Sequence, residues 1–213
     1  MSHERQNCVD LIYESDKEQL FELRASSYKR QYGQNVDVTA LRWNSWDERF
    51  INLGVFEGPQ LVSTLRIARV NSLEEYKKIM LCEFDPAHLE MPLVILSRAA
   101  TQENRQSEGL HSLLRYYALS LTSMAGIHWV IGTFKKNSQR VSQLTEMGYE
   151  LSTNPIPWQS FLKSNEPTYV ASLNLQKYYP QAQTRLLTSA KDLIKKYPVQ
   201  FDTEDLIERM HRA

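Results

Sequence analysis

PLVILSRAATQENRQSEGLHSLLRYYALSL, residues 92–121, is the stretch whose reading decides the fold. An apolar run, Leu93 to Leu96, passes through Ser97-Arg98-Ala99-Ala100-Thr101 into a polar loop, and Gly109 then opens a long helical pattern. The order is strand, loop, helix N-terminus. Such a junction suits an anion, because the first N–H groups of a helix lack internal partners and sit at the positive end of its dipole. A phosphate or pyrophosphate placed there is bound by backbone alone, and side chains near it must stay clear. An ordinary strand-to-helix turn would use the same residues, so the flanking sequence has to separate the two.

Upstream, Cys8 to Tyr13 alternates as a short strand. Ser15 or Asp16 then caps a helix from Lys17 to Tyr32, and Gly33 ends it. Within that helix Arg24, Tyr28 and Tyr32 are spaced by four and share one stripe. The stripe is either a solvated arginine packed over two amphipathic tyrosines or one wall of a binding cleft. Residues 35–48 carry Trp43 and Trp46 without the period of a long helix, and read as a mobile loop with a short helical turn. Arg49 to Glu57 and Leu61 to Val70 form an antiparallel hairpin around Gly58-Pro59, with Arg66 on the same face as Thr64 and Ala68. Ser72 and Glu75 make a capping box for a helix ending at Met80, followed by a polar stretch from Cys82 to Met91.

Downstream lie a strand at Ile127 to Phe134 and a helix from Asn137 to Met147 closed by Gly148. A short strand (Tyr149 to Thr153), a Pro-rich loop (Asn154 to Trp158) and a strand (Thr168 to Leu175) follow. Two amphipathic helices, Tyr178 to Tyr197 and Thr203 to Arg212, are separated by Pro198. They read as a C-terminal appendage that covers a sheet edge or makes a homodimer contact. The expected division is a main domain over residues 1–176 and a helical appendage over 177–213.

Composition narrows the function classes. The chain has 213 residues, with 25 Lys+Arg against 25 Asp+Glu, and no long basic stripe argues for nucleic acid. Nowhere do roughly 18 apolar residues follow one another, and the N-terminus lacks an apolar signal region, so the expectation is a cytoplasmic protein without membrane insertion. Cys8 and Cys82 lie far apart and without C-x-x-C spacing, which argues against a metal site and a disulfide framework and makes both small core or half-buried residues. Nucleophilic hydrolysis has no local signature such as G-x-S-x-G.

Gln106-Ser-Glu-Gly109-Leu110-His111 resembles the Q/R-x-x-G-x-G/A loop with which the GNAT superfamily of N-acyltransferases holds the pyrophosphate of coenzyme A. His111 stands where that family has Gly or Ala. The segment from Asn137 through Leu144-Thr145 to Gly148-Tyr149 is similar to one downstream of the coenzyme A loop in those enzymes. Many of them carry a tyrosine there that protonates the departing thiolate. Thr145 occupies the position, and its hydroxyl is too weak an acid for the task. The element order also matches the GNAT fold: an α+β architecture with a mixed sheet that splays near its centre and admits the acyl-pantetheine arm.

A narrower resemblance covers the first two-thirds of the chain. Arg24 and Tyr28 in the first helix, Asp47 in the following loop, Arg66 in the third strand and Arg98 in the fourth look like the pattern of acyl-homoserine-lactone synthases and N-acyl amino acid synthases. Two positions depart from it: Asn44 replaces the first of two loop acids, and Ile95 replaces the Glu of E-x-x-R. In the lactone-forming branch that Glu serves the amine of S-adenosylmethionine, which isoleucine cannot do, so a lactone product is not expected.

What the resemblance implies is acyl transfer from a pantetheine thioester, on acyl-CoA or an acyl carrier protein, to a small-molecule amine such as an amino acid, with no metal. Arg98, Ser97 and Asp47 would be catalytic, with Ser97 to Ala100 offering backbone N–H groups to the thioester carbonyl. Arg98 binding a substrate carboxylate and Arg98 paired with Asp47 are both open. Arg24, Tyr28 and Arg66 would bind substrate. Ala99, Ala100, Thr101, Gln106, Gly109, Leu110, His111 and Asn137 would hold the donor. The apolar positions Leu93 to Leu96, Leu113, Leu114, Tyr117 and Leu121 read as core, or as the wall of an acyl tunnel if the donor is long. An acetyl-CoA enzyme for small amines and a binding module without chemistry are the alternatives.

Overall fold

The computed structural model describes residues 6–34, 36–80, 89–135, 140–156 and 167–212. Cys82, Asn137 and Trp158 lie outside the described residues. Strands β1 (Cys8–Leu11), β2 (Ile51–Glu57), β3 (Gln60–Val70), β4 (Leu93–Thr101), β5 (Trp129–Lys135), β6 (Glu150–Leu151) and β7 (Thr168–Asn174) form one sheet. Its order is β1-β2-β3-β4-β5-β7-β6. The β4–β5 pair is parallel and the other described pairs are antiparallel. This is the mixed sheet expected from the sequence.

Alternation decides which helix lies on which face. On one face α1 (Lys17–Tyr32) packs over Cys8, Phe56, Leu61 and Ala100, and α3 (Leu73–Met80) packs over Ala68, Val70, Leu93 and Ile95. Trp46 of α2 (Ser45–Arg49) packs against the second of these clusters. The opposite face carries the largest core, in which Leu53, Val55, Leu65, Ile67 and Val94 meet Leu110, Leu113, Leu114 and Leu121 of α4 (Leu110–Met124). Leu113, Leu114 and Leu121 are at most 2% exposed, so these positions are core, while Tyr117 is half-buried edge-on against Phe201.

Helices α5 (Arg140–Glu146), α6 (Leu175–Lys196) and α7 (Thr203–Arg212) complete that face. Ala182, Leu186, Ala190, Tyr197, Leu206 and Met210 are buried in the same core as α4. Val199 bridges in parallel to Val9, which extends the sheet beyond β1. No helix among the described residues is long and apolar enough to cross a membrane.

Two loop expectations change in detail. Residues 36–50 hold two helical turns, a 3-10 turn at Val38–Leu41 and α2, with Leu41 and Asp47 buried. The capping box before α3 forms one residue out of register: Ser72 Oγ accepts from Glu75 N, but the Glu75 carboxylate accepts from Asn71 N at 2.8 Å.

Candidate active site

β4 is the hinge of the sheet. It pairs with β5 only over Leu93, Val94 and Ile95, although both strands continue beyond that register. Past Ile95 the two strands part, and the β4 edge facing β5 loses its ladder partners. Leu96, Ser97, Arg98 and Ala99 are accordingly half-buried between the buried Ile95 and Ala100. On its other side β4 bulges: Arg66 pairs with Ser97 and Thr64 with Ala100, so β4 spends one residue more than β3 over this span. The bulge centres on Arg98, whose φ of 55° makes it the one non-glycine residue at positive φ among those described. A left-handed conformation costs a residue with a Cβ about 1–2 kcal/mol, which the surroundings of Arg98 must offset.

Strict alternation would point Ser97 and Arg98 to opposite faces. The bulge removes that opposition, and the Arg98 charge is felt at Arg66, Arg24 and Asp47 and by Tyr28. Four segments thus converge under α1. Arg24, on the same face of α1 as Tyr28, donates from Nη2 to Asp47 Oδ1 at 2.9 Å and from Nη1 to Oδ2 at 3.1 Å. Arg66 Nη1 lies 3.6 Å from Asp47 Oδ1, and its Nε donates to Ser97 Oγ at 3.2 Å. Exposures of 0% for Arg24, 1% for Asp47 and 4% for Arg66 place this cluster out of solvent. The solvated reading of the α1 stripe is therefore excluded.

Asp47 has both carboxylate oxygens engaged by guanidinium groups, an arrangement that orients arginines and leaves little lone-pair capacity to accept a proton. Asn44, a departure from the synthase pattern, has a local reason: it is the N-cap of α2, with Oδ1 accepting from Trp46 N at 3.0 Å, and so holds the turn that carries Asp47. Asn52 is a cluster member that the sequence reading missed. Its Oδ1 accepts from Arg24 Nη2 at 3.1 Å and its Nδ2 donates to the Asp47 carbonyl at 2.7 Å. The available signal was a polar residue between Ile51 and Leu53 in a strand whose neighbours are all apolar.

Arg24 and Arg66 share the single Asp47 carboxylate, and among the described residues Arg66 Nη1 has no hydrogen-bond acceptor. Burial first, then the neighbouring Arg98, pulls the Arg66 guanidinium down to about 9, against the opposing pull of Asp47. Burial also lowers Arg98. At neutral pH Arg66 stays charged, so the cluster has the electrostatics of a site for an anion.

The loop after β4 is a different kind of place. Glu103–Glu108 winds as a 3-10 helix, Gln106 is exposed, and Gly109 at φ 84° forms the N-cap of α4. A Cβ on Gly109 would lie 2.6 Å from the Ser189 carbonyl oxygen of α6. Glycine is thus required here by backbone conformation and by the close approach of α6, and clearance for a phosphate is not needed to explain it. Leu110 is buried in the core, and His111 turns into a crevice with Arg115, Arg140 and Arg185. Burial, then Arg140 and Arg115, holds the His111 imidazole well below its usual range, so it is neutral at physiological pH.

Two motif departures are also explained locally. Ile95 is 1% exposed in the apolar cluster under α3, and Thr145 Oγ1 donates to the Val141 carbonyl one turn back at 3.0 Å.

No family model matches the chain, and no curated protein matches it by sequence. Solved structures do. The CoA-dependent acyl-homoserine lactone synthase BjaI, with MTA or with SAM and isopentyl-CoA, superposes with a TM-score of 0.63 at 20% identity, over 97% of this chain and 100% of BjaI. FeeM, an N-acyl amino acid synthase from uncultured soil microbes, gives 0.60 at 13% identity over 84% of this chain and 96% of FeeM. The Salmonella typhimurium protein yncA, described as a putative acetyltransferase and solved with acetyl-CoA, gives 0.53 at 13% over 81% and 96%. The fold is that of the GNAT N-acyltransferases; at these identities the likeness establishes fold.

Proposed function

We propose that the chain is an N-acyltransferase that moves an acyl group from a pantetheine thioester to the amine of an amino acid. The observation that carries this reading is the buried Arg24–Asp47–Arg66 cluster, which reaches Ser97 at the point where β4 leaves β5. A thioester laid along the open edge of β4 would meet unladdered N–H groups that can stabilise the oxyanion. The acceptor's carboxylate would answer Arg66, whose Nη1 has no acceptor among the described residues, which fixes its amine beside the carbonyl. Attack forms the amide and expels the thiolate; the acceptor ammonium loses two protons, of which the thiolate takes one and solvent the other. Asp47 positions the arginines in this scheme and takes no proton.

The donor end follows the same logic. Ala99, Ala100 and Thr101 continue β4 past the splay, and Gln106, Gly109, Leu110 and His111 lead from it into α4, so a pantetheine arm running along β4 would bring its phosphates to the start of that helix. Incubating the protein with a panel of acyl-CoA and acyl-carrier-protein thioesters, with and without amino acids, tests the reading by release of free thiol. Thiol release that depends on an amino acid is the expected result. Release stimulated equally by simple amines would replace the amino acid with a small-amine acceptor.

A second reading, a binding module without chemistry, rests on a specific observation: the positions where relatives are expected to carry an acid or base hold Ile95 and Thr145, and both are committed to local packing or hydrogen bonding. Tight thioester binding without thiol release would select it.

A further inference from the structure

Behind the start of α4, three arginines on three helices converge on one crevice: Arg115 of α4, Arg140 of α5 and Arg185 of α6. His111, Gln143 and Ser189 complete its polar wall. Among the described residues the carboxylate that meets these cations is Glu146, which holds Arg185 Nε at 2.7 Å, while Arg115 Nη2 donates to the Tyr149 hydroxyl at 2.9 Å. Among the described residues, three positive charges against one negative leave a surplus of two. His111 Nε2 is shielded from solvent there and has no hydrogen-bond partner. His111 is the residue that replaces the small one of the coenzyme A loop, and its imidazole lies in this crevice between helices.

We propose that the crevice binds a phosphate monoester at the nucleotide end of the donor, and that the chain therefore selects a coenzyme A thioester over a carrier-protein thioester. The claim rests on the acyl-transfer reading given above. Charge complementarity separates the two carriers. A phosphopantetheine arm on a carrier protein presents a phosphodiester with a single negative charge, whereas the 3′-phosphate of coenzyme A carries about −1.5 to −2 at neutral pH. A surplus of two positive charges matches the second. Arginine forks and an imidazole N–H are also the donors that phosphate oxygens accept from most strongly.

The test compares three donors with one acyl group, acyl-CoA, acyl-3′-dephospho-CoA and acyl-pantetheine, by the KM for thiol release. The wild type should prefer acyl-CoA to the dephospho donor by about tenfold or more, the scale of one or two charge-assisted hydrogen bonds. Arg115→Gln should abolish that preference, and so should Arg140→Gln, whose site on the exposed start of α5 guards against a folding artefact. Equal KM values for the first two donors in the wild type would overturn the proposal, as would equal losses for both donors in the variants. If no thioester reacts, the acyl-transfer reading fails, and calorimetry with adenosine 3′,5′-bisphosphate still decides the crevice. Binding weakened about tenfold by either variant supports it; no binding, or binding that neither variant changes, overturns it.

Discussion

The cluster under α1 and the loop before α4 were both marked as functional by the sequence, and they are built in opposite ways. In the first, residues from α1, α2, β2, β3 and β4 are pulled together across the sheet, with Arg24, Asp47, Asn52 and Arg66 buried and the Asp47 carboxylate shared by two arginines. In the second, consecutive residues run over the surface, and Arg105 ties them to Glu57 of the hairpin, to Glu108 and to the Tyr197 hydroxyl. Buried charge is costly unless paired, so the α1 cluster depends on the two-pronged Arg24–Asp47 pair at its centre. An exposed ion network has no such dependence. The contrast teaches that the scattered pattern, weak residue by residue, marks a built polar site, whereas the compact motif marks a turn with ample structural reasons of its own.

Removing Asp47 is the largest perturbation available. Asp47→Ala leaves Arg24 and Arg66 buried without a counter-charge, and should destabilise the protein by about 3–5 kcal/mol in urea unfolding. A loss below about 1 kcal/mol would mean that water or another anion already compensates the arginines, and the contrast with the loop would collapse. On the loop side, Gly109→Ala should cost about 2–4 kcal/mol, from the left-handed backbone and from the collision with the Ser189 carbonyl. That loss should appear with or without a thioester donor present. A Gly109 variant of unchanged stability but weakened donor binding would restore to the glycine a role in phosphate clearance.

How much of this was legible follows from the same contrast. Helix α1 was read with its observed ends because Asp16 and a terminal glycine bracket it, although the Asp16 carboxylate turns back to accept from Tyr13 N at 3.0 Å and does not cap the helix as expected. The meeting of Arg24, Asp47, Arg66 and Arg98 came from resemblance to a family pattern, since no local rule relates positions on four segments. The bulge at Arg98 was not legible at all: Ser97-Arg98-Ala99 has no glycine, and only pairing to β3 shows the extra residue. Asn52 was missed because a single polar residue in a strand is usually assigned to solvent. Gly109 was read for function because nothing in residues 92–121 shows that α6, some 80 residues later in sequence, would lie against it.

A gentler substitution asks what Arg98 does in the cluster. Arg98→Lys keeps the charge but loses the planar two-pronged donor. If Arg98 grips the acceptor's carboxylate, kcat/KM for the amino acid should fall by about tenfold while the KM for the thioester stays within about twofold. Equal losses on both substrates would place Arg98 among the residues that only shape the bulge.

The smallest effect expected belongs to the exposed side of the comparison, and it is a pH dependence. Glu57 accepts from Arg105 first, then from Tyr197 and Lys196, and these contacts lower its carboxyl from 4.5 to about 2. A carboxylate whose folded pKa is depressed stabilises the fold fully above its unfolded value, here 4.5, and loses that contribution as pH falls toward about 2. Stability measured by urea unfolding should therefore drop between pH 5 and pH 3, and Glu57→Gln should flatten part of that slope. Because the network is partly open to solvent, the change should be under about 1 kcal/mol and should shrink in high salt. The Asp47 deficit should not shrink with it, since buried pairs are screened far less. Equal salt sensitivity at Glu57 and Asp47 would show that water reaches both regions alike.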